Sequence, residues 1–173
     1  FKVNWYLNLN MGSGSNLTDL FNGNQIINDK GYIVVTSNKS TYVIDENNGS
    51  IIYKLNIISK IKPIIIDKYL YLISNNNLLI SFNLENGTIV YSYNLNEKIS
   101  KFLNIKKKEA KFKFFTLANN NLFIILENSY FLKLDTSGKL LDINKFNPKM
   151  KSSPIFIDNS ILYLDFKNKL LVI

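Results

Sequence analysis

Few side chains in this chain are equipped for chemistry. Asp29, Asp45 and Glu46 are the carboxylates that could do acid–base or metal work, and Lys106-Lys107-Lys108 is its one concentrated block of charge. The chain has no His and no Cys. Neither a Ser-His-Asp nor a Cys-His nucleophile system can be assembled from it, and the common zinc sites have no ligands. The stretch Asp45-Glu46-Asn47-Asn48-Gly49 lacks the spaced acidic ligands and the distal Glu of an EF-hand calcium loop. Gly12-Ser13-Gly14 follows no strand-to-helix pattern and lacks the downstream lysine of a phosphate-binding loop. Asp45 is most simply a turn residue, because it precedes an Asn-Gly pair. The expectation is a protein with no catalytic residue, no metal and no cofactor, and not an enzyme.

The lysine block has two readings. Flanked by Phe102, Phe112 and Phe114, it has the composition of a basic-aromatic patch for nucleic acid or lipid headgroups. Alternatively it is a solvated loop leading into a strand, with Phe112 and Phe114 on one core-facing side by period two. The alternation favours the loop, and Lys106, Lys107 and Lys108 stand as the candidate partner contacts. The formal charge of +8 comes from lysine alone, since none of the 21 basic residues is Arg. Arg is the usual side chain for bidentate recognition of phosphate and guanine, so no nucleic-acid partner is expected. An AT-rich gene enriches Lys, Asn, Ile, Phe and Tyr together and accounts for most of this bias. The four Asn-x-Ser/Thr sequons, at Asn16, Asn38, Asn48 and Asn86, follow from the same abundance of Asn.

The elements that carry these residues repeat. Ile44-Asp45-Glu46-Asn47-Asn48-Gly49-Ser50-Ile51-Ile52-Tyr53 recurs as Phe82-Asn83-Leu84-Glu85-Asn86-Gly87-Thr88-Ile89-Val90-Tyr91, with Asp45 and Asn83, Gly49 and Gly87, and Tyr53 and Tyr91 each 38 positions apart. A degenerate third copy runs Leu134-Asp135-Thr136-Ser137-Gly138-Lys139-Leu140-Leu141-Asp142. Apolar runs such as Tyr69-Leu70-Tyr71-Leu72-Ile73 and Leu122-Phe123-Ile124-Ile125-Leu126 precede the copies after short polar breaks. A partial fourth unit opens at Pro154-Ile155-Phe156-Ile157-Asp158, matching Pro63-Ile64-Ile65-Ile66-Asp67. Short strands joined by Asn, Gly, Asp and Ser turns describe a four-stranded antiparallel meander, and Asn48-Gly49 and Asn86-Gly87 supply the positive φ of tight hairpins. No 3.6-residue apolar period appears, so a helical repeat is excluded. Continuous apolar runs fit central strands buried on both faces by stacked blades. The fold class is therefore all-β: about three to four β-propeller blades of an incomplete or partial propeller. The expected repeats are 28–62, 63–98, 112–150 and 151–173, within a single 1–173 domain. Residues 98–113 are expected to be a long solvated loop, since the second-to-third interval stretches to 52 (Asn83 to Asp135). Gly12-Ser13-Gly14-Ser15 has the composition of a flexible linker, natural or engineered.

The repeat Asp-x-x-x-Gly-x-x-x-aromatic, from about residue 28 onward, resembles the quinoprotein-type (PQQ-like) propeller repeat, which ends each blade in Gly-x-x-x-Trp. Tyr53 and Tyr91 stand at the Trp position, Asp142 departs from it, and Trp5 looks like the closing Trp of a preceding blade. The resemblance has two branches. Quinone-dependent dehydrogenases use a vicinal disulfide, a stacking Trp and a calcium ion, and without Cys this chain resembles them only in scaffold. The other branch is non-catalytic, and the similarity to its lipoprotein propeller of the outer-membrane β-barrel assembly machine implies a protein-binding periplasmic scaffold. Its partner would be a barrel-assembly component, with peripheral membrane association through a lipid anchor outside this chain. A dehydrogenase relative, or a propeller binding glycans or small ligands through loop Tyr and Asn, is the alternative. The resemblance implies a ring of seven or eight blades, roughly 300 residues, so the chain reads as a fragment, as half of a two-copy ring, or as a short stack. It starts at Phe1 and so reads as a processed or excerpted piece.

Overall fold

The computed structural model of the protein describes residues 2–9, 26–106, 108–157 and 160–173. The linker residues 12–15, the sequon Asn16, Lys107 and Asp158 lie outside them. The chain divides into two compact units, residues 1–92 and 93–173.

The first unit holds two four-stranded antiparallel sheets, each in chain order. One is β1 (Ile27–Asp29), β2 (Tyr32–Thr36), β3 (Thr41–Asp45) and β4 (Ile51–Leu55); the other is β5 (Ile64–Ile66), β6 (Tyr69–Ile73), β7 (Leu78–Asn83) and β8 (Thr88–Asn94), whose end reaches the unit boundary. β-branched and aromatic residues dominate these strands, as pleated and buried surfaces favour. Along β3, β6 and β7 nearly every residue is buried. Ile27, Val34 and Val43 of the first sheet and Leu70, Leu72, Ile80 and Phe82 of the second form one cluster, with Tyr53 and Leu55 packed on it. Each such aliphatic side chain contributes about 1.5–3 kcal/mol by leaving water.

The second unit repeats the plan. β9 (Phe112–Ala118), β10 (Asn121–Leu126), β11 (Tyr130–Asp135) and β12 (Leu140–Lys145) form a four-stranded sheet, and β13 (Ile155–Ile157), β14 (Ser160–Leu164) and β15 (Leu170–Val172) form a three-stranded one. Ile125, Phe146, Met150 and Tyr163 make the core between them. Aromatic rings carry it through, with centroids 4.7 Å apart for Phe131–Phe146, 5.3 Å for Phe146–Tyr163 and 4.8 Å for Phe123–Phe156. These are propeller-type blades: three of four strands and one of three among the described residues.

One expectation is corrected. Residues 98–113 are not all loop, because α1 (Leu95–Leu103) occupies their start. Asn94 caps it, its side chain accepting from the Glu97 backbone N–H, and Asn104 ends it in the left-handed conformation with φ 51°. Leu95, Ile99, Phe102 and Leu103 fall at helical spacing; Leu95 is fully buried and Phe102 half exposed. Lys98 crosses to the Gly138 carbonyl at 3.0 Å.

Candidate functional site

The repeat residues build the turns and the joints between blades. Asp45 closes the β3–β4 turn. Its carboxylate accepts from the backbone N–H groups of Asn47 at 2.7 Å and Asn48 at 3.3 Å, while its carbonyl accepts from Gly49 N–H at 2.9 Å. Asn83 does the same for Glu85, Asn86 and Gly87 with a neutral amide. Asp135 accepts from Lys139 N–H at 2.9 Å and Ser137 Oγ at 2.6 Å. The Ser137 hydroxyl is the main cause, and the backbone donors a lesser one, of its carboxyl sitting below the usual range.

The glycines do more than turn. Gly49 and Gly87 both have φ +72°, and a Cβ on Gly87 would lie 2.6 Å from Tyr53 Cε1, one on Gly49 2.5 Å from Trp5 Cε3. Tyr53, in β4, lies over the turn glycine of the next sheet, and Trp5, in residues 2–9, covers Gly49 and donates its Nε1–H to the Glu46 carbonyl at 2.9 Å. At Tyr53 and Gly87 the motif thus joins neighbouring sheets. Trp5 and Tyr53 take corresponding positions in it. Tyr91 is half-buried, its ring centroid 6.4 Å from that of Tyr71.

A fourth copy of the turn escaped sequence reasoning. Asp165 accepts from the N–H groups of Lys167 and Lys169, and Asn168, with φ 59°, holds the place of the glycine. Its signal was present, since Leu164-Asp165, Lys169-Leu170-Leu171 repeats Leu134-Asp135, Lys139-Leu140-Leu141 at an interval of 30. The two departures fall in consecutive sheets. Blade three ends in Asp142 rather than an aromatic ring, and the following sheet has a side-chain-bearing Asn168 where the others have glycine.

The carboxylates singled out from sequence do not converge. Asp45 is spent on its turn, and Glu46 accepts from Asn28 Nδ2 at 2.9 Å. Among the described residues, no three acidic side chains gather as a metal site would require. Lys106 and Lys108 are exposed beyond α1. Phe112 is buried and Phe114 is packed on the second unit's core, so both face inward. They sit astride a β-bulge in β9 opposite Ile125 and Leu126, which replaces a clean two-residue alternation.

The first unit carries an open groove of about 470 Å³ lined by Lys30, Tyr32, Asp67, Lys68, Tyr69 and Glu85. The β1–β2, β5–β6 and β7–β8 turns carry the charges, and the tyrosines open β2 and β6. Lys30 pairs with Asp67 at 2.9 Å and Lys68 with Glu85 at 3.0 Å, all four side chains being largely exposed. The Glu85 carboxylate raises the Lys68 ammonium above its ordinary range. Sequence reasoning missed this groove, because it joins turns of two repeats that are distant in sequence.

No protein-family model and no curated protein sequence matches the chain. Solved structures do. The computationally designed Ika8 and Ika4 proteins each superpose with a TM-score of 0.61 at 11% identity, over 85% and 88% of this chain. The propeller-like Hsv2 of Kluyveromyces lactis superposes with a TM-score of 0.51 at 13% identity over 84% of the chain. The likeness is one of fold. The chain spans 94% of Ika4 but only 44% of Ika8 and 43% of Hsv2. BamB from Moraxella catarrhalis, at 9% identity over 85% of this chain and 56% of its own, has a TM-score of 0.46, too loose to argue from. Among the described residues no helix is long and apolar enough to cross a membrane.

Proposed function

We propose that the chain is a non-catalytic, protein-binding scaffold of the cell envelope. The single observation that carries the binding role is the groove on the first unit. It offers two tyrosines, a residue type enriched at protein interfaces, beside turns whose exposed charges of both signs have the character of a polar rim. It is open and shallow, unlike the enclosed, mostly apolar pockets that hold small ligands. The non-catalytic part is supported by the chemistry available: the chain has neither His nor Cys, and Asp45 and Asp135 are engaged in turn hydrogen bonds. The envelope location, and a barrel-assembly component as partner, are supported by the resemblance of the repeat to the non-catalytic quinoprotein-type branch.

The experiment is affinity capture from detergent-solubilised envelope with the wild-type chain and with a Tyr32→Ala/Tyr69→Ala variant. The expected result is a barrel-assembly component retained by the wild type and lost by the variant. Recovery of no envelope protein, or equal recovery by both, would count against the reading.

A further inference from the structure

The turn that follows α1 carries large apolar side chains to the surface. Phe102, Leu103 and Ile105 are 48%, 39% and 51% exposed, and every residue from Lys101 to Lys106 is exposed. Single exposed apolar residues are ordinary, but three within four positions form a patch. The turn is held from both sides. Behind it Leu95 is buried, and Lys98 lies with its Nζ 3.8 Å from the Tyr93 ring centroid while donating to the Gly138 carbonyl. Ile105 N–H donates to the Ser100 carbonyl at 3.0 Å, and Ala110 N–H to Asn96 Oδ1 at 2.9 Å. The turn is thereby tied down before Lys101 and after Glu109, with its apolar tips facing out.

Charge indicates what covers the patch. Lys101, Lys106 and Lys108 are exposed around it, and among the described residues none of the three pairs with a carboxylate. Between Glu97 and Glu109 the sequence holds five lysines and no acidic residue. A protein-facing patch is depleted of lysine at its centre. A surface for single-stranded nucleic acid stacks bases on aromatic rings, whereas Leu103 and Ile105 are aliphatic. Apolar tips flanked by ammonium groups on flexible stems match the boundary between acyl chains and phosphate headgroups. There the apolar atoms sink in and the lysines reach back to the phosphates.

We propose that this turn is a docking surface for an anionic lipid bilayer. Phe102, Leu103 and Ile105 enter the interface, and Lys101, Lys106 and Lys108 meet the lipid phosphates. The surface belongs to the second unit and uses no residue of the first unit's groove.

The test is co-sedimentation of the 173-residue chain with phosphatidylcholine vesicles, with and without one-quarter phosphatidylglycerol, at low and at physiological salt. Binding is expected only with the anionic lipid, and it is expected to weaken as salt rises. Lys101→Ser/Lys106→Ser/Lys108→Ser is expected to weaken it on the order of 100-fold, at about fivefold per lysine. Lys145→Ser/Lys149→Ser/Lys167→Ser removes the same charge from three exposed sites of the same unit and is expected to weaken it by less than about tenfold. Phe102→Ser/Ile105→Ser keeps every charge and is expected to weaken it by about tenfold or more. An environment-sensitive fluorophore on Ile105→Cys, in this cysteine-free chain, is expected to shift to the blue on anionic vesicles. The same fluorophore on Asn128→Cys, an exposed turn position, is expected to stay unmoved. Absence of vesicle binding, equal losses from the two lysine triples, or an unmoved fluorophore at position 105 would each overturn the proposal. So would binding to single-stranded DNA that needs these residues when vesicle binding does not, with circular dichroism showing the fold intact.

Discussion

Replacing Gly87 with Ala isolates the joint between neighbouring sheets. Two costs add at this position. The residue sits at φ +72°, where a Cβ costs about 1–2 kcal/mol. The new methyl would also lie 2.6 Å from Tyr53 Cε1, so the ring must leave its place. Tyr53 makes an edge-on contact with Phe82 at 5.2 Å, and the loss of such a pair adds about 0.5–1.5 kcal/mol. The total is about 2–3 kcal/mol. Gly31 is the control, with φ +81° and nothing near a Cβ, so Gly31→Ala carries the backbone cost alone. Urea titration followed by far-ultraviolet circular dichroism should place the Gly87→Ala midpoint about 0.5 M below that of Gly31→Ala, from the ring cost of about 1 kcal/mol and a slope of about 2 kcal/mol/M. In a Tyr53→Ala background the excess should vanish, since the ring that the methyl strikes is gone. Equal midpoints for the two single variants, or an excess that survives removal of the ring, would refute the argument that the ring makes this glycine necessary.

Four further outcomes are expected. Asp135→Ala removes the acceptor for Lys139 N–H and Ser137 Oγ and should cost about 1 kcal/mol by urea titration at neutral pH. Because hydrogen bonds hold the Asp135 carboxyl below its ordinary range, its contribution is complete above the unfolded-state pKa and is lost as pH falls through the folded one. Asp135→Asn should keep most of the neutral-pH stability, as Asn83 does in the same role, and should flatten the acid limb of a stability–pH profile. Asn94→Ala deletes the cap of α1 and should cost about 1 kcal/mol, seen as faster amide exchange in residues 97–103 with β10 protection unchanged. Lys68→Ala breaks an exposed, solvent-screened ion pair and should leave the urea midpoint unchanged, so any effect it has on partner capture would report binding.

Much of this fold was legible because its signals are local. An Asx side chain followed by glycine dictates a turn through hydrogen bonds to its own next residues, so Asp45, Asn83 and Asp135 could be placed from spacing alone. Continuous apolar runs such as Leu122-Phe123-Ile124-Ile125-Leu126 announced central strands covered on both sides. The helix was missed because its nine residues are too few to set up a visible apolar period, although Asn94 and Glu97, three residues apart ahead of Ile99, Phe102 and Leu103, carried the capping signal. The fourth turn was missed because Asn168 adopts the left-handed conformation without being glycine. What spacing could not show was contact between distant residues. Nothing in the residue types says that Tyr53 lies on Gly87, or that Lys30 and Lys68 meet carboxylates of turns from another part of the chain. The groove is built from such meetings.

The claim on which the rest stands is that an aromatic ring laid on a turn glycine joins the first sheet to the second, as Tyr53 on Gly87, and residues 2–9 to the first, as Trp5 on Gly49. Proton nuclear magnetic resonance reads this directly. The account predicts upfield ring-current shifts for the α-protons of Gly49 and Gly87, with nuclear Overhauser contacts to Trp5 and Tyr53 respectively. α-Protons at unstructured-chain positions, without those contacts, would contradict it.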